Sequence, residues 1–176
     1  MKEDEIDFLD PVVLRLRPIS ADGYILDIGG GGEGMIGRLM GPSVVAIDYR
    51  EDELIEAPEG PLKIVMDATH LSFLDCTFSA ATAFFSLMYF DAEEDLRKAF
   101  KEAFRALKPG GRFHVWDVEL AERPQTGRPV YAVRLDCIVN GVSCKTAYGR
   151  PWPQGARDSN YYKGLAQAAG FRHVDT

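Results

Sequence analysis

Residues 25–39 read ILDIGGGGEGMIGRL. An apolar run reaches an acid, Asp27. Four consecutive glycines follow, then Glu33-Gly34 and a segment of helical apolar spacing. The pattern is strand, tight turn, helix. Glycines in such a turn let backbone approach a ligand with no side chain between them. Gly29, Gly31 and Gly34 satisfy the G-x-G-x-x-G spacing of dinucleotide loops. The spacing alone leaves nicotinamide, flavin and other nucleoside ligands open.

Outward from this loop the chain alternates. Strand patterns lie at YILDI (24–28), SVVAID (43–48), LKIVMD (62–67), TAFFSL (82–87) and RFHVWDV (112–118). They are apolar on both faces, as buried parallel strands are. Residues 92–111 carry a helical stripe of Leu96, Ala99, Phe100, Ala103, Phe104 and Leu107. Asp91 is expected as its N-cap, and Pro109-Gly110 as its stop. The segment PVVLRLRP (11–18) reads as partly helical. Alternation of this kind predicts a Rossmann-like, doubly wound α/β fold, a mostly parallel sheet in a three-layer α/β/α arrangement.

After Asp117 the rhythm changes. Residues 130–148 read as an antiparallel hairpin about Asn140-Gly141, a type I′ turn signal. A two-residue turn pairs Val139 with Val142, Cys137 with Cys144, Val133 with Tyr148, and Asp136 with Lys145. A Pro-rich loop, a helix (159–169) and a last strand, FRHVDT (171–176), complete the expectation.

The chain has 176 residues, 46% of them hydrophobic and 27% charged, which suits one globular domain over 1–176 with an N-terminal segment at 1–20. The net charge of −7 makes nucleic acid an unfavourable partner. Cys76, Cys137 and Cys144 form no metal-binding spacing, so no metal is expected. The acidic start, MKEDEIDFLD, is not a targeting sequence, and no run is long enough to span a bilayer. The expected location is cytoplasmic. Nothing in the pattern selects between a monomer and a homodimer.

Ligands of open parallel sheets bind beyond the carboxyl ends of the strands. Those ends carry Asp27, Asp48, Asp67, Ser86 and Asp117. Asp48 follows Gly29 by 19 positions, where a carboxylate can accept from both hydroxyls of a ribose. That fits NAD and S-adenosylmethionine equally. Asp27 before the glycines suits a cationic amino group and would repel a pyrophosphate. Asp67-Ala68 is placed to read an exocyclic adenine amine. No second substrate domain and no Tyr-x-x-x-Lys pair supports hydride transfer.

On ILDIGGGGEG, VVAIDYR, IVMDATHLSF and FRALKPGGRFHVWD, the chain resembles the class I S-adenosylmethionine-dependent methyltransferases of the small, type 11-like group. The resemblance covers roughly residues 22–118, more weakly YYKGLAQAAGF. It implies S-adenosylmethionine as cofactor, with S-adenosylhomocysteine as product. Asp27, Gly29, Gly30 and Gly31 would hold the methionine part, Asp48 the ribose, and Tyr49 the adenine flank. Asp67 and Ala68 would read the adenine edge, and Ser86 would lie near the sulfonium. The family's D-x-G-x-G-x-G spacing asks for glycine where this chain has Glu33.

The expected reaction is in-line methyl transfer to a small-molecule acceptor. The sulfonium is already electrophilic, so alignment supplies much of the rate. A base is needed only for a protonated acceptor. Tyr89, Asp117 and Tyr161 are the candidates for proton acceptance or acceptor contact. FFSLMYF (84–90) lacks the Asn/Asp-Pro-Pro-aromatic pattern of enzymes that methylate exocyclic or amide nitrogens, and its apolar rim suits a small, partly apolar acceptor. The histidines read as structural or solvent-facing. Two alternatives stand beside this reading: a cofactor-binding module without catalysis, and a short NAD(P)-dependent oxidoreductase.

Overall fold

The computed structural model describes residues 3–175. Five strands form one all-parallel sheet: β3 (Ile25–Ile28), β4 (Val44–Asp48), β5 (Leu62–Val65), β6 (Phe78–Phe84) and β7 (Leu107–Trp116), in the order β5-β4-β3-β6-β7. The chain starts at the centre of the sheet, winds outward to β5, then crosses to β6 and β7. That reversal puts a crevice beside the carboxyl end of β3.

Both faces of this sheet are covered, which explains strands apolar on both sides. Leu26, Ile28, Val45, Ile47 and Ala81 pack against α3 (Glu93–Ala106), with Leu165 and Ala166 of α4 (Ser159–Ala169) in the same cluster. On α3 the residues Leu96, Ala99, Phe100 and Ala103 are buried. Its negative first turn, Glu93-Glu94-Asp95, suits the positive end of the helix dipole. The opposite sheet face, through Ile25, Val44, Ala46 and Phe84, packs on α1 (Met35–Met40) and on Leu54 of α2 (Glu51–Glu56).

A second sheet completes that opposite layer. The hairpin strands β8 (Val130–Val139) and β9 (Val142–Pro151) pair in the expected register, Cys137 opposite Cys144 and Asp136 opposite Lys145. Asn140 and Gly141 have φ of 51° and 81°, as a type I′ turn requires. Two short strands, β1 (Ile6–Phe8) and β2 (Val12–Arg15), run parallel to successive stretches of β8. Tyr131, Val133, Leu135, Cys137 and Val139 alternate inward from β8 into the shared core.

Several local expectations are corrected. PVVLRLRP is not helical: Val12–Arg15 is a strand, because β8 offers it a parallel partner more than 100 positions away. The TAFFSL strand lies earlier, at Phe78–Phe84, and the long helix stops at Ala106, with Leu107–Gly111 already in β7. Ala92 rather than Asp91 caps α3, and Asp91 instead pairs with Arg150. Residues 171–175 of FRHVDT form no strand; Thr176 lies outside the described residues. Among the described residues no helix is long and apolar enough to cross a membrane.

Candidate active site

A cavity of about 290 Å³ opens at the carboxyl ends of β3, β4, β5 and β6. All nine residues singled out for the cofactor line it: Asp27, Gly29, Gly30, Gly31, Asp48, Tyr49, Asp67, Ala68 and Ser86. Of the three further candidates, Tyr89 lines it, while Asp117 and Tyr161 do not.

The loop geometry follows from its glycines. Gly29 has φ of 70°, and a Cβ there would meet the Ser86 Cβ at 2.4 Å. Ser86 is held in place by donating to the Ile28 carbonyl at 2.6 Å. The Gly29 and Gly30 N–H groups both donate to the Ile47 carbonyl, at 2.8 and 3.0 Å, which folds the turn back over β4. Gly34, one position later than the family spacing asks, has φ of 53° and opens α1. The left-handed conformation there falls on a glycine, which adopts it without steric cost.

Asp27 is 2% exposed and accepts from the Thr82 hydroxyl at 2.6 Å. Burial pushes its carboxyl up to about 7; the Thr82 bond opposes that rise, and the neighbouring Asp48 charge adds to it. Asp48 accepts from the Arg50 N–H at 3.0 Å through Oδ1. Its Oδ2 lies over the glycine turn, 2.9 Å from where a Cβ on Gly31 would stand. Asp67 accepts from the Thr69 N–H at 2.8 Å, and that bond holds its carboxyl below the ordinary range.

The opposite wall is aromatic: Phe84, Phe85, Tyr89, Phe90 and Tyr148. Phe85 has φ of 49°, a conformation that costs a residue with a side chain roughly 1–2 kcal/mol. Its ring stacks on Tyr148 at 5.5 Å and 18°. Tyr148 is a site residue that sequence reasoning missed. The hairpin register puts it on the apolar face, but no local signal tells which layer that face meets. In the sequence Glu33 stands out only as a departure from the family spacing. In the structure it accepts from the Tyr148 hydroxyl at 2.9 Å and from the Thr146 hydroxyl. It therefore ties β9 to the glycine loop.

Asp117 sits behind the wall. It accepts from the Met88 N–H at 3.0 Å and the Val118 N–H at 2.8 Å. Burial pushes it up to about 7 against those two bonds. It holds the Leu87–Tyr89 turn, and so the position of Tyr89. His114 stacks on Trp116 at 6.0 Å, with its basicity lowered by burial; His70 bonds to Thr69. Neither histidine lines the cavity.

Comparison with known proteins identifies this architecture. A family model described as a methyltransferase domain matches residues 26–115. The sterol 4-C-methyltransferase strm-1 of Caenorhabditis elegans is 32% identical over 96 residues, covering 54% of this chain and 28% of that protein. The chain thus spans less than a third of that relative. Among solved structures, the PH0226 protein of Pyrococcus horikoshii is similar with a TM-score of 0.56 at 22% identity, covering 82% of this chain and 73% of the other. A chain of the Haloferax volcanii complex between the Trm112 methyltransferase activator and a methyltransferase gives 0.52 at 16%, covering 87% and 62%. At those identities the structures speak for the fold, and the matched model for the family. The chain belongs to the class I S-adenosylmethionine-dependent methyltransferases, a family whose cofactor is S-adenosylmethionine.

Proposed function

We propose that this chain, acting as one domain, transfers a methyl group from S-adenosylmethionine to a small-molecule acceptor by in-line displacement. One observation carries the reading. Three strand-end carboxylates, Asp27, Asp48 and Asp67, surround a glycine turn whose missing side chains leave the cavity open. The donor set matches the cofactor's chemistry: an ammonium, a ribose diol and an adenine amine each call for an acceptor, and an anionic pyrophosphate would meet repulsion.

The residues fit the group part by part. Asp27 and the Gly29–Gly31 backbone would hold the methionine portion. Asp48, whose Oδ2 lies over the glycine turn, would hold the ribose, and the exposed ring of Tyr49 would flank the adenine. Asp67 would accept from the adenine amine, and buried Ala68 would give it an apolar floor. When bound, S-adenosylmethionine supplies an electrophilic methyl carbon. Ser86, Phe85, Tyr89 and Tyr148 stand where an acceptor would approach, exclude water and fix its direction. Tyr89 is the phenol of the three candidates that reaches this cavity, though burial raises it and makes it a poor base near neutral pH. An acceptor already deprotonated needs no base.

Calorimetric titration with S-adenosylmethionine, S-adenosylhomocysteine and NADH tests the reading. Micromolar binding of the adenosyl ligands, weakened at least about tenfold by Asp48→Ala, supports it. Tight NADH binding with no adenosyl binding overturns it. Turnover with a methyl acceptor separates an enzyme from a cofactor-binding module.

A further inference from the structure

The Leu87–Tyr89 turn has a second cavity beside it, of about 480 Å³. The two cavities adjoin: both are lined by Phe90, and Tyr89 of the first lies under the guanidinium of Arg150, which lines the second, at 5.3 Å. The second wall joins apolar surface, from Met88, Phe90 and Trp152, to a polar majority. Its charged groups are the guanidiniums of Arg150 and Arg157 and the carboxylates of Asp91 and Glu93.

Arg157 donates through Nη2 to the Phe90 carbonyl at 2.8 Å, which fixes its fork at the boundary between the cavities. Among the described residues no carboxylate forms an ion pair with it. Asp117, which acts on it through space, already accepts from two backbone N–H groups. Arg150 is paired with Asp91, whose side chain is 89% exposed, so the partner is solvated and weakly held. Glu93, the other acid on the wall, is engaged by Arg97 on α3. Tyr131 is 1% exposed and packs on Trp152 at 5.1 Å, yet its hydroxyl has no hydrogen-bond partner among the described residues. Two guanidinium forks and a phenol, beside the apolar surfaces of Met88, Phe90 and Trp152, make a site for an anion on an organic body. Tyr161, which does not reach the first cavity, lines this one.

We propose that the methyl acceptor is a small organic anion. Its carboxylate or phosphate is held by Arg150, Arg157 and the Tyr131 hydroxyl, and its apolar body passes Phe90 toward the methyl-donor cavity. This rests on the methyltransferase reading above.

The test is calorimetry on the protein with and without saturating S-adenosylhomocysteine, using phenylacetate, phenyl phosphate and the neutral phenylacetamide as probes. The expected result is binding of at least one anion and about tenfold or more weaker binding of phenylacetamide. Arg157→Gln and, separately, Arg150→Gln remove that preference while S-adenosylhomocysteine affinity stays within about twofold of wild type. The stronger of the two anions tells a carboxylate acceptor from a phosphate one. If S-adenosylhomocysteine binds and the anions bind no better than phenylacetamide, the anionic acceptor is wrong and the methyltransferase reading stands. The anionic acceptor is equally wrong if the preference survives both substitutions. If S-adenosylhomocysteine does not bind, the methyltransferase reading falls and takes the acceptor subsite with it.

Discussion

Asp27 is a carboxyl buried at the end of a central strand, and its titration is where residue chemistry becomes measurable. Its folded value near 7 lies above the ordinary 3.8. The folded state therefore holds a proton between about pH 4 and 7 that the unfolded chain has lost. The stabilising contribution is complete below the ordinary value and is lost as pH rises through 7. The ligand-free protein should melt at progressively lower temperature across that window, and Asp27→Asn should flatten the slope. Asp117, also raised to about 7, contributes a share that remains in the variant. A melting temperature that is flat in wild type across that window counts against a buried, protonated Asp27. A bound ammonium favours the carboxylate, so S-adenosylmethionine should bind more tightly as pH rises from about 5.5 to about 7.5, with one proton released near the midpoint. Calorimetry in buffers of different ionisation enthalpy reads that proton directly.

At the scale of elements, the hairpin is held to the glycine loop through one carboxylate. Glu33 accepts from Thr146 and Tyr148, and the Tyr148 ring stacks on Phe85. Glu33→Ala leaves both hydroxyls without that partner and should cost about 1–3 kcal/mol. The expected readout is a lower denaturation midpoint and faster amide exchange in β9, with β3 to β7 unchanged. Exchange that rises equally in both sheets would mean the tether is not local. Helix α3 carries a different load. Phe100 is 2% exposed and touches Phe113 edge-on at 5.3 Å. Phe100→Ala should destabilise by about 3–5 kcal/mol, read by urea denaturation, with ligand affinity of the surviving folded fraction preserved. The helix itself was legible in the sequence because its apolar stripe repeats within a few turns. The strand at Val12–Arg15 was not, because four residues of mixed polarity acquire strand geometry only from β8.

At the scale of the whole molecule, the net charge of −7 is concentrated usefully. Asp27, Glu33, Asp48, Glu53 and Asp67 all line the first cavity, against one cation, Arg50, among the described residues. A field of that sign raises the local concentration of a cationic ligand. S-adenosylmethionine carries a net positive charge and S-adenosylhomocysteine does not. Raising salt from about 0.05 to 0.5 M should therefore weaken the former more than the latter, since screening shortens the Debye length severalfold. Equal salt dependence for the two would place the acids outside the ligand's reach. The second cavity, beside the Leu87–Tyr89 turn, instead balances Arg150 and Arg157 against Asp91 and Glu93.

The sequence by itself determined whatever depends on near neighbours. The glycine turn and its following helix, the acids at strand ends, the α3 stripe and the hairpin register about Asn140-Gly141 all follow from short-range periods and turn chemistry. The residues lining the first cavity could be named for the same reason: they lie at or just after strand ends, and strand ends in a parallel sheet share one edge. Tertiary structure alone decided which layer the hairpin covers, and with it the meeting of Glu33 with Tyr148 and of Tyr131 with Arg157. It also decided that Asp117 supports the turn beneath Tyr89 instead of facing the cavity. These partners are separated by tens of residues or more. Their pairing depends on how whole apolar faces pack together, and no local period records that choice.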